Sequence, residues 1–199
     1  GGPGDSDTLR EDRGGGFNLT DTTISLISTG EVDQYAHFEN VSLKGDDSAN
    51  TLDASLFSGV VRLDGAGGDD IIKGGTGTNY LTGGPGNDTL FASAGLDIIL
   101  ESRDANFTLS DGGLKLDLVP AGTEQDTYDL GGGTIEEARL TGGSSNNVMD
   151  ASAFSGHVTL DGGAGDDTLT GTKNADTLDR KSTRLNSSHV ALSRMPSSA

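Results

Sequence analysis

The clearest pattern in the chain is an aliphatic residue that recurs at every ninth position. Six residues keep this spacing in two blocks: Ile72, Leu81, Leu90 and Ile99, then Leu169 and Leu178. Each stands two positions after an Asp or Asn that ends a polar, glycine-rich stretch of six residues. The glycine-rich stretch predicts a loop, and the residues around each aliphatic side chain predict a short strand that turns this side chain into a core.

Two longer segments, 17–44 and 107–141, lack this period and alternate apolar with polar residues, as in Leu114, Leu116 and Leu118. A period of two predicts strands. The run Asp111-Gly112-Gly113 predicts a hairpin turn between two of them. We interpret both segments as β inserts that cap or link the blocks of nine-residue repeats.

A second repeat has a much longer period. Residues 50–64 (NTLDASLFSGVVRLD) and 147–161 (NVMDASAFSGHVTLD) are related by a constant offset of 97 residues. Phe57 and Phe154 occupy the same place in this segment, and we expect both to pack in the core rather than bind a ligand. Self-similarity at a fixed period predicts a stacked, quasi-one-dimensional fold.

These repeats predict the domain organisation. Residues 1–16 are the end of a preceding repeat block and a linker; module 1 spans 17–105, with its insert at 17–44 and its repeat block at 45–100; module 2 spans 106–178, with its insert at 107–141 and a truncated repeat block at 142–178.

The last residues break the pattern, because 180–199 contain no Gly and no acidic residue. The stretch 179–189 (DRKSTRLNSSH) back-translates to a widely used DNA sequencing adapter, and 193–199 (SRMPSSA) back-translates to the rest of it. We interpret residues 179–199 as translated adapter that is not native, and exclude them from the fold prediction.

Charge adds a physical constraint. The chain has 31 acidic and 13 basic residues, a formal net charge of −18, and only 32% hydrophobic residues. This charge disfavours nucleic acid or an anionic membrane surface as partner, and no apolar run reaches the roughly 18 residues of a membrane span. Low hydrophobicity with high charge is also typical of disorder. A chain that folds only with a bound cation fits both the charge and the strict spacing.

The nine-residue units resemble the hemolysin-type calcium-binding repeats of the RTX family, whose motif is G-G-x-G-x-D-x-U-x. Residues 83–91 (GGPGNDTLF) and 162–170 (GGAGDDTLT) match every constrained position. The resemblance implies an all-β fold in which blocks of parallel β-roll, or β-solenoid, alternate with the β inserts. It also implies Ca²⁺ as the cofactor.

The chemistry of the loops supports this cofactor. Glycine permits the positive φ angles that turn main-chain carbonyls inward, and Ca²⁺ prefers carbonyl and carboxylate oxygens. The predicted metal ligands at the sixth position are Asp70, Asn79, Asp88, Asp97, Asp167 and Asp176. The predicted loop glycines are Gly65, Gly67, Gly74, Gly75, Gly77, Gly83, Gly84, Gly86, Gly162, Gly163 and Gly165.

If two repeats form one coil, every second loop lies on the same edge, about 4.8 Å from the next. Asp70 then lies beside Asp88. Two carboxylates roughly 5 Å apart repel by about 0.8 kcal/mol in water and by more when buried. We therefore predict one Ca²⁺ ion between loops 65–70 and 83–88.

A weaker site is predicted between loops 74–79 and 92–97, because Asn79 has no charge and paired glycines are missing from the latter loop. Loop 162–167 is well formed, and we expect its stacking partner beyond residue 179. The fifth-position residues Asp69, Asn87 and Asp166 are expected to face solvent. The alternative is that all these segments are ordinary Gly-Asp turns without an ion.

Signals of catalysis are weak. His37 and His157 are solitary, the chain has no Cys, and no H-E-x-x-H or G-x-S-x-G motif occurs. We predict that this fragment has no enzymatic activity.

The leading functional interpretation is a calcium-stabilised structural or stalk region of a large secreted or cell-surface bacterial protein. The resemblance implies export in an unfolded state and folding in external Ca²⁺, and extracellular calcium modules bind at about 10⁻⁴–10⁻³ M. The expected partners are calcium ions and neighbouring repeat modules. Two alternatives stay open: a repeat tail of a secreted protease, lipase or polysaccharide-modifying enzyme, and a metal-free parallel β-helix that contacts carbohydrate.

Overall fold

The computed structural model describes residues 8–12, 14–35, 38–118, 122–129 and 133–181. His37, the start of the predicted preceding repeat block and most of the predicted adapter segment lie outside these residues. The described residues form strands, turns and loops, and no helix capable of crossing a membrane occurs among them.

Nineteen strands follow one another along the described chain. They are β1 (Thr8–Glu11), β2 (Phe17–Thr20), β3 (Thr23–Leu26), β4 (Val32–Gln34), β5 (Asn40–Lys44), β6 (Thr51–Leu56), β7 (Val60–Asp64), β8 (Ile71–Lys73), β9 (Thr78–Thr82), β10 (Thr89–Phe91), β11 (Leu96–Ser102), β12 (Ala105–Ser110), β13 (Gly113–Leu118), β14 (Thr123–Asp129), β15 (Glu137–Thr141), β16 (Val148–Ala153), β17 (His157–Ala164), β18 (Thr168–Thr170) and β19 (Thr177–Lys181).

The strands form two sheets. The eight-stranded sheet has the order β1-β5-β7-β9-β11-β15-β17-β19, and every neighbouring pair in it is parallel. The eleven-stranded sheet has the order β18-β16-β12-β13-β14-β10-β8-β6-β2-β3-β4. From β5 to β11 the chain alternates between the two sheets, so two strands and their loops make one coil of a solenoid. The predicted all-β, parallel β-roll is confirmed.

The two predicted inserts are antiparallel meanders within the eleven-stranded sheet. Strands β2, β3 and β4 form the first, and β12, β13 and β14 form the second. The second meander separates β10 from β16 by three strands, whereas only β15 separates β11 from β17 in the other sheet. At a strand spacing of about 4.8 Å, the eleven-stranded sheet is wider by about 10 Å at this point.

The core lies between the sheets and consists of rows of aliphatic side chains in register. Leu52, Ile72 and Leu90 pair in sequence across β6, β8 and β10. The predicted eighth-position residues 72, 81, 90 and 99 are at most 2% exposed. Leu169 is half-buried and Leu178 is 43% exposed, because β18 and β19 are the last strands of their sheets.

Phe57 and Phe154 pack in the core, as predicted, with exposures of 1% and 4%. Each follows a tight turn in which its main-chain N–H donates to a carbonyl three residues earlier, that of Ala54 or Ala151. The turn places each aromatic ring between the sheets, where an eleven-residue step replaces the nine-residue one. Both modules therefore use the same device to fill the longer coil.

Strand β19 continues through Lys181, two residues past the boundary predicted at residue 179. Its pairing with β17 is regular as far as Asp179, and the register shifts before Lys181. The domain boundaries themselves stay a prediction.

We expect Phe57→Ala to lower the free energy of unfolding by about 3–5 kcal/mol, because it leaves a cavity in a thin core. The control is Leu56→Ala, since the neighbouring Leu56 side chain is 71% exposed. Urea unfolding in saturating Ca²⁺ measures both changes. Similar effects for the two variants would contradict the packing role.

Candidate metal centre

The loops form two rows along the edges of the solenoid. The first loop row leads into the eleven-stranded sheet and contains loops 45–50, 65–70, 83–88, 142–147 and 162–167. The second loop row leads into the eight-stranded sheet and contains loops 74–79, 92–97 and 171–176. Since β8 pairs with β10 and β9 with β11, every second repeat stacks, as the sequence predicted.

Three loops of the first row share a backbone conformation with positive φ at their second and fourth positions. The angles are 77° for Ala66, 98° for Gly68, 98° for Gly84, 150° for Gly86, 79° for Gly163 and 119° for Gly165. A Cβ atom on Gly84 or Gly86 would lie 2.0 Å from the carbonyl oxygen of Ala66 or Gly68, respectively. The carbonyls of loop 65–70 therefore face loop 83–88, and only glycine fits against them.

The sixth-position carboxylates of the first row form a ladder. The main-chain N–H of Asn50 donates to Oδ1 of Asp70 (2.7 Å), and that of Asp70 donates to Oδ1 of Asp88 (2.8 Å). The N–H of Asn147 donates to Oδ1 of Asp167 in the same way (2.8 Å). Each rung thus uses one oxygen of the carboxylate to hold the preceding coil.

The other oxygen of these carboxylates has no partner. Oδ2 of Asp70, Asp88 and Asp167 is buried and accepts no hydrogen bond, and the three residues are at most 2% exposed. Each Oδ2 lies beneath the first glycine of its own loop, where an added Cβ would come within 2.1–2.3 Å. A buried unpartnered polar atom needs an explanation. A divalent cation supplies one, because carboxylate oxygens and inward carbonyls are Ca²⁺ ligands.

The second loop row differs, because its side chains already satisfy one another. Both carboxylate oxygens of Asp97 accept from Ser93, and Oδ1 also accepts from the side-chain amide of Asn79 (2.9 Å). Asp176 likewise accepts the main-chain N–H and hydroxyl of Thr172. Ser93 and Thr172 occupy the second loop position, where the best repeats have glycine. The geometry therefore favours the first row for calcium.

Burial raises the pKa of Asp70 to about 7, and the neighbouring acids Asp88 and Asp46 add to the shift. Burial also raises the pKa of Asp88 to about 6. In both cases the main-chain N–H bond from the preceding coil opposes the shift. The ionised form of these carboxylates is therefore costly in the fold without a cation.

No three Asp, Glu or His side chains of the described residues converge closely enough to enclose an ion by themselves. An ion between loops 65–70 and 83–88 must therefore take main-chain carbonyls as well as Asp70 and Asp88. The residues fit such a site, since the carbonyls of Ala66 and Gly68 face it. The assignment of individual metal ligands stays a prediction.

Two further expectations concern residues around the sites. Asp69, Asn87 and Asp166 are exposed, as predicted. Asp69 and Asn87 belong to an outer ladder in which Oδ1 of Asp69 accepts the N–H of Asn87 (2.8 Å). Loop 162–167 was expected to find its partner beyond residue 179. That stretch lies largely outside the described residues, so this expectation stays a prediction. On its preceding side the loop stacks on the degenerate turn 142–147, since Gly163 and Gly165 lie against the carbonyls of that turn.

The sequence-based prediction missed residues outside the repeats. The main-chain N–H of Asp88 donates to Oδ1 of Asp126 (3.1 Å), so Asp126 of β14 forms the next rung of the ladder. Tyr128 takes the place of the eighth-position aliphatic, because it pairs with Leu90. The signal was available as Asp-x-Tyr, which occurs at Asp33–Tyr35 and again at Asp126–Tyr128.

A parallel two-sheet solenoid with stacked Gly-Asp loops and unpartnered buried carboxylates belongs to the class of calcium-binding β-rolls. Residues 64–99 and 141–178 match the family model of the RTX calcium-binding nonapeptide repeat, in four copies. These stretches are therefore RTX repeats, and the predictions of the family and of Ca²⁺ as cofactor are confirmed. Among curated proteins, none matches the chain.

We expect Asp70→Asn to weaken calcium binding by about tenfold or more, which corresponds to about 1.4 kcal/mol. The asparagine oxygen can still accept the N–H of Asn50, so the variant removes charge but retains the rung. Asp97→Asn should have a smaller effect, because Asp97 is already satisfied by Ser93 and Asn79.

Calorimetric titration with Ca²⁺ measures these affinities. The matched control is Asp69→Asn, which makes the same charge change at an exposed position one residue away. Equal losses of calcium affinity in Asp69→Asn and Asp70→Asn would show that the affinity depends only on net charge.

The pKa shifts also predict opposite pH effects with and without calcium. The pKa values of Asp70 and Asp88 are raised from an ordinary 3.8, so protons stabilise the calcium-free fold. This stabilisation is complete below about pH 4 and is lost as the pH rises through about 6 to 7. Because Ca²⁺ must displace these protons, its affinity should fall from pH 8 to pH 5.

Calorimetry at several pH values measures this affinity, and repeating it in buffers of different ionisation enthalpy counts the released protons. A calcium affinity that does not change over this range would refute the linkage.

Proposed function

We propose that this chain is a Ca²⁺-binding structural or stalk region of a large secreted or cell-surface bacterial protein, and that it folds when it binds Ca²⁺ outside the cell. Proteins with RTX repeats are typically secreted bacterial proteins, and the repeat is typically non-catalytic. The observation that carries the proposal is the row of buried Oδ2 atoms of Asp70, Asp88 and Asp167 without a partner.

Coupling of folding to calcium follows from this row. Hydrophobic residues make up only 32% of the chain, and the formal charge is −18. A thin core must therefore overcome both the conformational entropy of the loops and the repulsion between stacked carboxylates. Calcium replaces that repulsion with cross-links between coils. In a calcium-poor cytosol the chain would stay loosely folded, and outside the cell it would become ordered.

A spacer role follows from the topology. The eight strands of the fully parallel sheet stack along one direction and span about 34 Å at about 4.8 Å per step. Each coil contacts mainly its neighbours, so further modules lengthen the stack without changing its cross-section. The two-module organisation proposed from the 97-residue repeat suits an array of this kind. A repeat tail of a secreted enzyme is the alternative, and the sequence that flanks this segment in its parent protein distinguishes the two.

The test is far-UV circular dichroism of the full chain during a Ca²⁺ titration, with Mg²⁺ as the control cation. We expect a cooperative gain of β signal at sub-millimolar to millimolar Ca²⁺ that a chelator reverses. Mg²⁺ should be much less effective, because it demands octahedral geometry and gives up its water reluctantly. A β spectrum that ignores both Ca²⁺ and chelator would favour the metal-free β-helix, and a spectrum that stays disordered would leave a solvated linker.

A further inference from the structure

The carboxylate ladder does not end with the nonapeptide repeats. Asp126 lies on β14 of the second meander, which is outside both segments that match the repeat family. Its Oδ1 accepts the N–H of Asp88, and the carbonyl of Asp88 accepts the N–H of Thr127 (2.8 Å). The same two bonds join Asp70 to Asp88 and Thr89. Asp126 therefore occupies the position of a repeat aspartate, although it is 38 residues downstream.

The meander brings no glycine-rich loop to stack on loop 83–88. A second buried carboxylate takes that place. Glu101, on β11, is 5% exposed and accepts the main-chain N–H of Gly84, the second residue of the loop. In loop 65–70 the equivalent N–H of Ala66 is bound by Asp64 of the same coil. Glu101 thus brings a carboxylate from outside the repeat motif to the open face of loop 83–88.

Several buried polar atoms at this junction lack a hydrogen-bond partner, and they include Nη1 of Arg103 as well as two oxygens. One is Oδ2 of Asp88, in a residue that is 1% exposed. The other is the hydroxyl of Tyr128, in a residue that is 7% exposed, and it lies near enough to Asp126 and Glu101 for both to raise its pKa after the larger effect of burial. Asp88 itself lies against Asp126, whose Oδ1 accepts its main-chain N–H.

The charges of this group are poorly compensated. Arg103 pairs with Glu124 (3.1 Å) and interacts with Glu101, and no ion pair to Asp88 or Asp126 occurs among the described residues. Asp126 is 3% exposed and Glu101 is 5% exposed, so both carboxylates are removed from solvent. A bound cation would compensate carboxylates that are buried in this way.

The same polar residues recur around the first meander. In sequence, Glu11, Arg13, Glu31, Asp33 and Tyr35 correspond to Glu101, Arg103, Glu124, Asp126 and Tyr128. The strand registers support this equivalence, because Asp33 pairs with Ile24 as Asp126 pairs with Leu114. The two inserts also share the apolar and turn positions of segments 17–21 (FNLTD) and 107–111 (FTLSD), whereas many of their other positions differ. Retention of the polar set around both meanders indicates a shared role beyond packing.

We propose that Asp88, Asp126 and Glu101 bind an additional Ca²⁺ ion at the junction between loop 83–88 and the second meander. This site rests on the proposed calcium-dependent function and extends it to residues outside the repeat motif. As in the repeats, carboxylates of the described residues do not enclose an ion alone, so the proposed site also takes main-chain oxygens of loop 83–88. The site fastens the second meander to the preceding repeat block, so one cation joins the proposed modules 1 and 2.

The test compares Asp126→Asn and Glu101→Gln with Asp117→Asn in the full chain. Asp117 is a matched control, because it lies on the same meander, is exposed, and pairs with Lys115 at 2.9 Å. Asparagine at 126 can still accept the N–H of Asp88, so the ladder is retained. Equilibrium dialysis should find one Ca²⁺ ion fewer per chain in Asp126→Asn and Glu101→Gln, and no change in Asp117→Asn.

A second readout uses terbium as a calcium substitute, excited through tyrosine. Tyr128→Phe should remove most of the emission that depends on Asp126, whereas Tyr80→Phe should not. This readout is local, so it also serves if one carboxylate variant folds poorly.

The possible outcomes distinguish failure of the additional site from failure of the proposed calcium-dependent function. An unchanged ion count in both carboxylate variants, with unchanged terbium emission in Tyr128→Phe, would overturn the additional site and assign the group to shared protons. The wild-type chain would still bind calcium in that case. Failure of the wild-type chain to bind any Ca²⁺ would instead overturn the proposed function as well.

Discussion

The stacking of buried carboxylates at the spacing of adjacent strands is the constraint on which the rest of the structure depends. Parallel pairing places Asp70 directly beside Asp88, and each uses Oδ1 to hold the preceding coil. The hydrogen bonds of the ladder thus require charges to be close together and buried. Oδ2 is left without a partner, and the inward carbonyls of the glycine loops add more oxygen around it. The fold builds an oxygen-rich space that a divalent cation can fill.

The two loop rows show how a small change in sequence alters this space. In loops 65–70, 83–88 and 162–167 of the first row the second position is Gly or Ala with positive φ, and Oδ2 of the carboxylate is open. In loops 92–97 and 171–176 of the second row Ser93 or Thr172 occupies that position, and its hydroxyl binds the carboxylate. Loop 74–79 has Asn79 in place of the aspartate. One row can therefore bind cations, whereas the other is held together by its own side chains. An internally satisfied row can support the coils while the first row responds to calcium.

The strands of both meanders belong to the eleven-stranded sheet of the solenoid. Strand β14 continues the hydrogen-bond ladder of β10, and Tyr128 continues the core row of Leu90. On the other side of the second meander, Asp104 accepts hydrogen bonds from Ser144, Ser145 and Asn147. These bonds fix loop 142–147, the first loop of the next repeat block. Each meander adds two extra strands to the eleven-stranded sheet and none to the eight-stranded sheet. The regular stacking of coils is therefore interrupted at each meander.

The sequence by itself determined the class of fold, the nine-residue period and the pairing of Asp70 with Asp88, because each depends on residues that are close in the chain or separated by a fixed step. It also indicated the weaker loop 92–97 from its missing glycines. Only the tertiary structure decided that loop 162–167 stacks on 142–147 and that Asp126 meets Asp88. Those contacts join segments separated by an insert of irregular length, and local spacing carries no information about which strand the chain returns to after a meander.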